Sequence, residues 1–498
     1  MNNDSLIAVI GSGVMGTGIA QVAASAGHHV LLFDAAPGAS AKALASLGET
    51  YRKLAVKGKM AEADAQAAHS RILIASGLEA LEGARLVVEA IVEDLAAKRE
   101  LFASLEAVVA PDCILASNTS SISITLLAAK LTWPERVAGM HFFNPVPLME
   151  LVEVVRGLAT SEACAQQVFN AALHWGKTAV FAKSTPGFIV NRVARPYYAE
   201  ALRLLQEGAA QPASIDAVMR DAGGFRMGPF ELMDLIGHDV NFAVTRSIFN
   251  AYFGDRRFTP SVLQQELVEA GRLGRKSGRG FFDYRPGAIP ATPEFEPLQP
   301  APHHFSIHGE DAFTSAFGLR LHTFAQVSAD PHLRADRATL MLTNGVTATE
   351  RARREGIDNL VLVDYALDFA ATRTVAVARA PTCGRHAFDS AVGLLQSAGC
   401  QVVHLRDLPG LAVLRTMSML ANEAADAVNQ GVCAAGAVND AMRKGLNYPI
   451  GPLRWADEIG VARVRDILQC LAEYYGEDRY RTSPLLRELA MIGGAFEH

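Results

Sequence analysis

Short apolar runs separated by longer stretches of helix-forming residues make up the first 185 residues. This alternation is typical of buried parallel strands connected by helices. The predicted strands are 6–10, 29–33, 86–90, 113–116 and 137–142, and the predicted helices are 17–26 and 96–109. Their order predicts a doubly wound α/β domain over residues 1–185.

From residue 186 onward, apolar positions recur at helical spacing instead. The stretches 192–207 and 239–253 show this spacing and predict an all-helical domain over residues 186–285. Six prolines between residues 286 and 302 then predict a linker over 286–318, because proline interrupts helices and strands alike.

Strand and helix patterns return after this linker. Predicted strands at 361–364, 374–377 and 401–405, with a helix at 387–398, indicate a second, smaller α/β domain over residues 319–405. Helical spacing resumes over residues 406–498. The chain is therefore predicted to run α/β, helical, α/β, helical.

The two helical parts contain an internal repeat. Identical residues recur at an offset of 223 positions across about fifty residues. The pairs are Pro186/Pro409, Gly187/Gly410, Arg192/Arg415, Glu200/Glu423, Gly208/Gly431, Met219/Met442, Arg220/Arg443, Gly228/Gly451, Pro229/Pro452, Asp234/Asp457 and Gly237/Gly460. Chance similarity would not hold one offset over this distance, so we infer a duplicated helical domain. Leu414 stands where the first copy has Asn191, and we therefore expect the functional site in the first half.

Composition and charge exclude several function classes. The chain has 46 lysines and arginines against 52 aspartates and glutamates, a formal charge of −6. This balance gives no overall attraction to nucleic acid or to an anionic membrane, so neither is an expected partner. An uncharged stretch between Asp4 and Asp34 contains five glycines and fits strand, turn and helix better than a membrane span. Six widely spaced cysteines without a CxxC pair predict reduced thiols in a cytoplasmic protein and no metal site.

A glycine-rich turn lies between the first predicted strand and helix. It reads Gly11, Ser12, Gly13, Val14, Met15 and Gly16, the GxGxxG spacing of a Rossmann dinucleotide site. The glycines allow a tight turn, close approach to a pyrophosphate and helix packing, and the helix N-terminus attracts the phosphates. Asp34 ends the second strand and no arginine follows at 35–37, which favours NAD over NADP. FAD is a weaker alternative.

His141 and Glu153 are the candidates for proton transfer. His141 ends a predicted strand, and Glu153 lies twelve residues later in an apolar run. Either residue alone would more often be a core or surface residue. Together they suit a dehydrogenase, which must remove a hydroxyl proton as hydride leaves for nicotinamide.

Six motifs in order make the chain resemble the NAD-dependent L-3-hydroxyacyl-CoA dehydrogenases over residues 5 to about 285. They are Gly11 to Gly16, Ala90-Ile91-Val92-Glu93, Ser117-Asn118-Thr119-Ser120-Ser121, His141-Phe142-Phe143-Asn144-Pro145, Pro186-Gly187-Phe188-Ile189-Val190-Asn191-Arg192 and Gly228-Pro229-Phe230-Glu231. Residues 400–480 resemble a second copy of the family's C-terminal helical domain. The resemblance implies an enzyme with NAD as cofactor and an acyl-CoA thioester as substrate.

The resemblance also implies roles for individual residues. His141 would be the general base, Glu153 its orienting partner, and Ser120 and Asn191 would hydrogen-bond the substrate. Positions that contact the nicotinamide half of NAD in the family correspond to Glu93, Lys98, Asn144 and Lys276, besides Ser120. Thr50 and Lys57 fall where the family holds coenzyme A, and the basic residues around them suit its anionic tail, although a solvated face is the equally simple reading.

The long form with two helical copies resembles the 3-hydroxyacyl-CoA dehydrogenases of phenylacetate catabolism, which oxidise 3-hydroxyadipyl-CoA. A dicarboxylic acyl chain calls for a cation in the pocket, and Arg195, one helical turn after Asn191, is the candidate. An interdomain salt bridge is the alternative role for Arg195. A short-chain or 3-hydroxybutyryl-CoA dehydrogenase and a non-enzymatic NAD-binding scaffold are the alternative functions. The duplication makes a monomer possible, because the second copy could replace a dimer partner, and a homodimer is also plausible.

Overall fold

A computed structural model describes residues 5–308, 312–321 and 332–497. Residues 309–311 of the predicted linker and 322–331 of the predicted second α/β domain lie outside the described residues. The chain divides into two compact units. The first is Met1–Arg192 with Gln430–Leu446, and the second is Val193–Asn429 with Asn447–His498.

An eight-stranded sheet organises the first unit. Its strands are β1 (Ile7–Ile10), β2 (Val30–Phe33), β3 (Ile72–Ile74), β4 (Leu86–Glu89), β5 (Ile114–Ser117), β6 (Val137–Phe142), β7 (Leu151–Arg156) and β8 (Thr178–Lys183). They lie in the order β3-β2-β1-β4-β5-β6-β7-β8. All neighbours are parallel except β6 and β7, which run antiparallel. The first six strands therefore confirm the predicted doubly wound sheet.

Helices connect these strands. They are α1 (Val14–Ser25), α2 (Ala39–Val56), α3 (Glu62–Ser70), α4 (Leu95–Val108), α5 (Ile124–Ala128), α6 (Glu162–His174) and α7 (Val190–Val193). Side-chain caps begin three of them, because Asp94, Ser123 and Ser161 accept hydrogen bonds from amides in the first turns of α4, α5 and α6. The apolar faces of these helices and strands form one buried core.

The first helical copy follows in the second unit. It contains α8 (Arg195–Gln206), α9 (Pro212–Asp221), α10 (Pro229–Ile236), α11 (His238–Ala251) and α12 (Val262–Glu269). A 3₁₀ turn, Arg256–Phe258, separates α11 from α12, and another covers Arg275–Ser277. Proline at the start of α8, α9 and α10 is compatible with a helix N-terminus because no amide donor is needed there.

A six-stranded sheet forms the second α/β part. Its strands are β9 (Phe305–Ile307), β10 (Leu333–Ala335), β11 (Ala338–Leu342), β12 (Leu360–Val363), β13 (Thr374–Arg379) and β14 (Gln401–His404), in the order β14-β13-β12-β11-β10-β9. The pairs β11/β12 and β13/β14 are parallel, and the others are antiparallel. The helices α13 (Ala312–Arg320), α14 (Ala348–Glu355) and α15 (Arg385–Ser397) accompany this sheet.

The predicted linker over 286–318 differs from the structure at its C-terminal end. Residues 286–304 carry neither helix nor strand, as expected from their prolines. Strand β9 and helix α13 nevertheless fall inside the range, and β9 pairs with β10. Periodicity did not reveal a strand of three residues, because its formation depends on a partner strand that is distant in sequence. The boundaries of the predicted domains otherwise stay predictions.

The second helical copy repeats the first. It contains α16 (Val413–Asn429), α17 (Ala435–Leu446), α18 (Pro452–Ile459), α19 (Val461–Tyr475), a 3₁₀ turn at Asp478–Tyr480 and α20 (Pro484–Ile492). The helices α17, α18 and α19 begin 223 residues after α9, α10 and α11. The predicted duplication is confirmed. The second copy is divided, however, because α17 belongs to the first unit, where it packs against β7 and β8.

Candidate active site

The glycine turn after β1 has the geometry that a dinucleotide site requires. Gly11 has a φ of +97°, and a Cβ at this position would lie 2.4 Å from the carbonyl oxygen of Ala90. A Cβ on Gly16 would lie 1.8 Å from the carbonyl oxygen of Gly11, so α1 packs directly on the turn. Gly13 faces open space, with nothing within 4 Å of its Cβ position. The N-terminus of α1 is thus open to an approaching phosphate.

Asp34 stands at the end of β2 and is tied to the same turn. Its Oδ2 accepts hydrogen bonds of 2.7 Å from both the amide and the hydroxyl of Ser12. Its Oδ1 accepts a third from the amide of Ala36 at 2.9 Å. Burial opposes ionisation, but these three hydrogen bonds outweigh it and lower the pKa of the Asp34 carboxyl. An ionised carboxylate is therefore positioned beside the turn, as recognition of a ribose hydroxyl requires.

A buried ion pair lies at the C-terminal end of β4. Lys98 on α4 donates to Oε1 of Glu89 at 2.5 Å, and both side chains are almost inaccessible to solvent. Glu89 is the last residue of β4 and also accepts from the amide of Ile91 and the hydroxyl of Ser117. Glu89 was not among the residues predicted from the sequence. Its signal was a single charge that ends an otherwise apolar strand, nine residues before Lys98.

Glu93 accepts several hydrogen bonds from the loop that follows β5. Its Oε1 accepts from the Thr119 hydroxyl at 2.7 Å and from the amides of Ser120 and Ser121 at 3.0 and 3.1 Å. Its Oε2 lies 3.3 Å from the ammonium of Lys98. Burial raises the pKa of this carboxyl. The Thr119 hydrogen bond and the charge of Lys98 lower the pKa by more than burial raises it, so the net shift is downward. Glu93 thereby fixes the position of Ser120.

His141 and Glu153 form a direct pair across the antiparallel strands β6 and β7. The two residues are register partners, and Nδ1 of His141 lies 2.6 Å from Oε2 of Glu153. The other oxygen of Glu153 accepts from the amides of Ile189 and Val190, at 3.0 and 2.9 Å. Glu153 is fully buried. A carboxylate accepts hydrogen bonds, so Nδ1 of His141 is the donor in this pair and Nε2 is the ring nitrogen left for a substrate.

Aromatic rings shield this pair. The ring of Phe143 lies 4.5 Å from that of His141, and the ring of Phe188 lies 5.8 Å from it. His141 itself is 5% exposed. The imidazole is therefore held in one orientation within a largely apolar setting, which strengthens its interaction with Glu153.

The remaining predicted residues of the first unit lie on the same edge of the sheet. The glycine turn, Asp34, Glu93, Ser120 and Asn144 follow β1, β2, β4, β5 and β6, and parallel strands place their carboxyl ends together. Ser120 is partly exposed and Asn144 is exposed. Asn191 is the second residue of α7, directly after the Val190 amide that holds Glu153.

The residues predicted to hold coenzyme A lie on helix α2 and at its C-terminal end. The hydroxyl of Thr50 donates to the carbonyl of Ser46 within the same helix. Lys57 caps the C-terminus of α2 and is exposed. Arg52 pairs with Glu49, which leaves less of the predicted basic surface available than the sequence indicated.

Two predicted site residues belong to the second unit. The ammonium of Lys276 lies 2.5 Å from Oδ1 of Asp239. Arg195 is buried, donates to the hydroxyl of Thr245 at 3.1 Å and stacks on the ring of Tyr198. Burial lowers the pKa of Arg195.

In the described residues of the second α/β part, a carboxylate occupies the N-terminus of the helix that follows β11. The helix α14 follows β11 as α1 follows β1, but the carboxylate of Asp407 accepts from the amides of Ala348 and Thr349 at its N-terminus. An internal carboxylate thus takes the place of a phosphate.

Comparison with known families decides the classification. The NAD-binding domain of 3-hydroxyacyl-CoA dehydrogenase matches residues 6–185, and the C-terminal domain of that enzyme matches residues 187–284 and again 410–495. The chain belongs to the 3-hydroxyacyl-CoA dehydrogenase family. The reduced Rossmann-fold domain of 3-hydroxybutyryl-CoA dehydrogenase matches residues 340–409. The family resemblance, the NAD-binding domain and the enzymatic nature of the protein are therefore confirmed.

Individual members of the 3-hydroxyacyl-CoA dehydrogenase family match the whole chain or its first half. The 3-hydroxyadipyl-CoA dehydrogenase of Escherichia coli K12 is 44% identical over 497 residues, 100% of both chains. The human mitochondrial hydroxyacyl-coenzyme A dehydrogenase is 41% identical over 56% of this chain and 91% of its own. A crystal structure of 3-hydroxybutyryl-CoA dehydrogenase from Escherichia coli K12 superposes with a TM-score of 0.89 at 43% identity, covering 99% of both chains.

Membrane-spanning helices and metal-binding groups are both absent from the described residues. No helix in the described residues is both long enough and apolar enough to cross a lipid bilayer. Histidines, cysteines and carboxylates do not assemble into a metal-binding group anywhere in the described part of the chain.

Proposed function

We propose that this protein oxidises an L-3-hydroxyacyl-CoA to the 3-oxoacyl-CoA with NAD, and that 3-hydroxyadipyl-CoA is its preferred substrate. The observation that carries the reaction is the buried pair of His141 and Glu153 at the edge of the sheet where the glycine turn also lies. The full-length similarity to a 3-hydroxyadipyl-CoA dehydrogenase supports the substrate.

His141 acts as the general base in this proposal. Nε2 accepts the proton of the 3-hydroxyl group as the C3 hydride departs. Glu153, hydrogen-bonded to Nδ1, stabilises the imidazolium that forms and keeps the ring in its productive tautomer. The amides of Ile189 and Val190 hold the carboxylate in place, so that it does not turn away when the ring becomes charged.

The first unit fits NAD. The open space at Gly13, the amides at the start of α1 and the ionised Asp34 together suit a pyrophosphate and an adenosine ribose. NAD, when bound, supplies the acceptor for the hydride. Glu93, Ser120 and Asn144 are the residues of this unit that we assign to its nicotinamide half, and the buried Lys98 would act there by holding Glu93. The role of Lys276 stays a prediction of the family resemblance.

Polar side chains beside the base would position the substrate. Ser120 and Asn191 hydrogen-bond the thioester substrate and orient its 3-hydroxyl, and Thr50 and Lys57 contact coenzyme A. Arg195 is our candidate for the distal carboxylate of the adipyl chain. Its burial and its contacts with Thr245 and Tyr198 also suit a purely structural role, so the substrate comparison below tests it.

Cellular context follows from the same proposal. Oxidation of 3-hydroxyadipyl-CoA is a step of phenylacetate catabolism, for which we propose a cytoplasmic location. The duplicated helical domain makes a monomer possible and leaves a homodimer plausible.

A steady-state comparison tests the proposal. NADH formation is followed with L-3-hydroxyadipyl-CoA and L-3-hydroxybutyryl-CoA for wild type, His141→Ala and the exposed-residue control His29→Ala. We expect a higher kcat/KM for the adipyl thioester in wild type and in the control, and loss of turnover in His141→Ala. Equal kcat/KM values would reject the adipyl preference and favour a general short-chain enzyme. Absence of turnover with both thioesters, despite NAD binding, would reject the reaction.

The same assay examines Arg195. Arg195→Leu is expected to raise KM for the adipyl thioester while sparing the butyryl thioester, because only the former carries a distal carboxylate. Equal losses for both substrates would assign Arg195 to structure alone.

A further inference from the structure

A cavity with an arginine-rich wall lies among the helices of the second unit. Its volume is about 170 Å³, enough for a small ligand. Arg195, Arg203, Arg257 and Arg479 line it together with polar groups of Thr245 and Gln264. None of the described residues in its wall is acidic. Arg203 pairs with Glu477, and Arg257 pairs with Glu423 and Asp426, all outside the wall, so the wall itself offers guanidinium groups and no carboxylate.

Arg479 is the least satisfied of these arginines. It is 7% exposed, and its Nε is buried without a hydrogen-bond partner in the described part of the chain. The nearest carboxylate oxygen, Oε2 of Glu477, lies 3.7 Å from that nitrogen. Burial lowers the pKa of Arg479, and repulsion from Arg203 adds to this shift against the attraction of Glu200. A buried guanidinium in this state is costly unless an anion pairs with it.

The internal repeat allows the partners of Arg479 to be compared with those of its counterpart in the first helical copy. The 3₁₀ turns Arg256–Phe258 and Asp478–Tyr480 correspond at an offset of 222, one residue less than in the preceding helices, so Arg257 is the counterpart of Arg479. Arg257 donates to Glu423 at 3.2 Å and to Asp426 at 2.9 Å. At the 223-residue offset the counterparts of Glu423 and Asp426 are Glu200 and Arg203. A carboxylate partner has therefore been replaced by a second cation.

The other carboxylates near the cavity are paired with other residues, although Oε1 of Glu200 is itself buried without a hydrogen-bond partner in the described residues. Glu200 accepts from Nε of Arg415 at 2.6 Å and from the Tyr480 hydroxyl at 3.0 Å through the same oxygen. Glu477 accepts from Arg203 at 3.0 Å. The repeat also places Arg195 where the second copy has Ser418, which adds another cation to this side alone. Arg195 and Arg203, the two cations that the first copy has gained at these positions, both lie in the cavity wall.

We propose that this cavity binds a small oxyanion, a phosphate or a carboxylate, through the guanidinium of Arg479 with Arg203 beside it. Arginine forms paired hydrogen bonds with the oxygens of either group. The occupant would replace the carboxylate that Asp426 supplies in the other copy. Arg195, our candidate for the distal carboxylate of the substrate, lies in the same wall. The proposal concerns Arg479, however, and a binding measurement without NAD or thioester tests it whether or not the reaction is as proposed.

Isothermal titration tests the proposal with two probes, inorganic phosphate and adipate, on the full-length protein in the absence of NAD and thioester. Sodium chloride at equal ionic strength corrects for general salt effects. We expect saturable binding of at least one probe by wild type, weakened about tenfold or more in Arg479→Gln. The surface variant Arg463→Gln, which removes the same charge outside the cavity, is expected to bind as wild type does.

The two probes identify the source of the anion. Phosphate binding that Arg479→Gln weakens supports a phosphate ligand, and adipate binding with the same dependence supports a carboxylate ligand. Binding of neither probe, or binding that Arg479→Gln leaves unchanged, would overturn the proposal.

A crystal soak in selenate keeps the test independent of whether the variant folds. Selenate is an oxyanion with the shape of sulfate, and its selenium is located by anomalous scattering. We expect a peak with selenate oxygens within hydrogen-bonding distance of Arg479 in wild type. A structure with no peak in the cavity at a saturating selenate concentration would reject the site.

Discussion

Glu153 holds His141 from the neighbouring strand and is itself held by the amides that begin α7. One carboxylate oxygen meets Nδ1 of His141 at 2.6 Å, and the other meets the amides of Ile189 and Val190. Three N–H donors thus converge on one fully buried carboxylate. The base is oriented by a group that has little freedom to move.

Glu153→Gln tests this orientation. The amide cannot stabilise a protonated imidazole as a carboxylate does, and its NH₂ group would oppose either Nδ1–H or the two backbone amides. We expect kcat to fall by about 10²- to 10⁴-fold, as for removal of a partner of a general base. The exposed variant Glu162→Gln on α6 should retain wild-type kcat. A Glu153→Gln enzyme within threefold of wild type would show that Glu153 only fills space.

Asp34 is expected to determine the choice of cofactor. Asp34→Ala removes the carboxylate that faces the ribose and the acceptor for Ser12, so KM for NAD should rise by about tenfold or more. The discrimination against NADP should fall in the same variant, because a negative charge no longer repels the 2′-phosphate. Steady-state kinetics with both cofactors measure the two effects. An unchanged ratio of the two kcat/KM values would contradict this role.

The Lys98 and Glu89 pair is expected to show strong coupling in stability. Lys98→Met leaves the Glu89 carboxylate buried without its cation, and we expect a loss of about 3–5 kcal/mol in the free energy of unfolding. Lys98→Met combined with Glu89→Gln removes both charges and should recover part of that loss. Urea unfolding of the two single variants, the double variant and wild type completes the cycle. Additive losses would mean that the pair is not coupled.

Gly445 on α17 is expected to be required for close packing of this helix within the first unit. A Cβ there would approach a methyl of Leu151 on β7 to 2.7 Å and a methyl of Val190 to 3.3 Å. Gly445→Val should therefore displace the strand that carries Glu153 and the turn that holds it, and lower kcat by about tenfold or more. Gly436→Val, an exposed position on the same helix, is the control. Equal kcat in both variants would show that α17 does not support the site.

Local chemistry was sufficient for much of the site. Glycines with GxGxxG spacing followed by an acid at a strand end indicated a dinucleotide site because that backbone geometry tolerates few other residues. The repeat was visible for a similar reason, since helix starts such as Gly228-Pro229 and Gly451-Pro452 recur with their caps. Glu89 was missed because a charge at the end of an apolar strand has no sequence pattern that distinguishes a buried partner from a solvated residue.

The sequence by itself determined the alternation of α/β and helical parts, the glycine turn with Asp34, the candidate pair His141 and Glu153, and the duplication, because these depend on periodicity and on residues close along the chain. The tertiary structure decided which distant groups meet. The antiparallel register of β6 and β7 brought Glu153 to His141, and packing on β7 and β8 assigned α17 to the first unit. It also placed Arg479 beside Arg203, whereas the counterpart of Arg479 in the first copy, Arg257, pairs with Asp426. Such contacts depend on pairing and burial between segments that are far apart in sequence, and no local pattern encodes them.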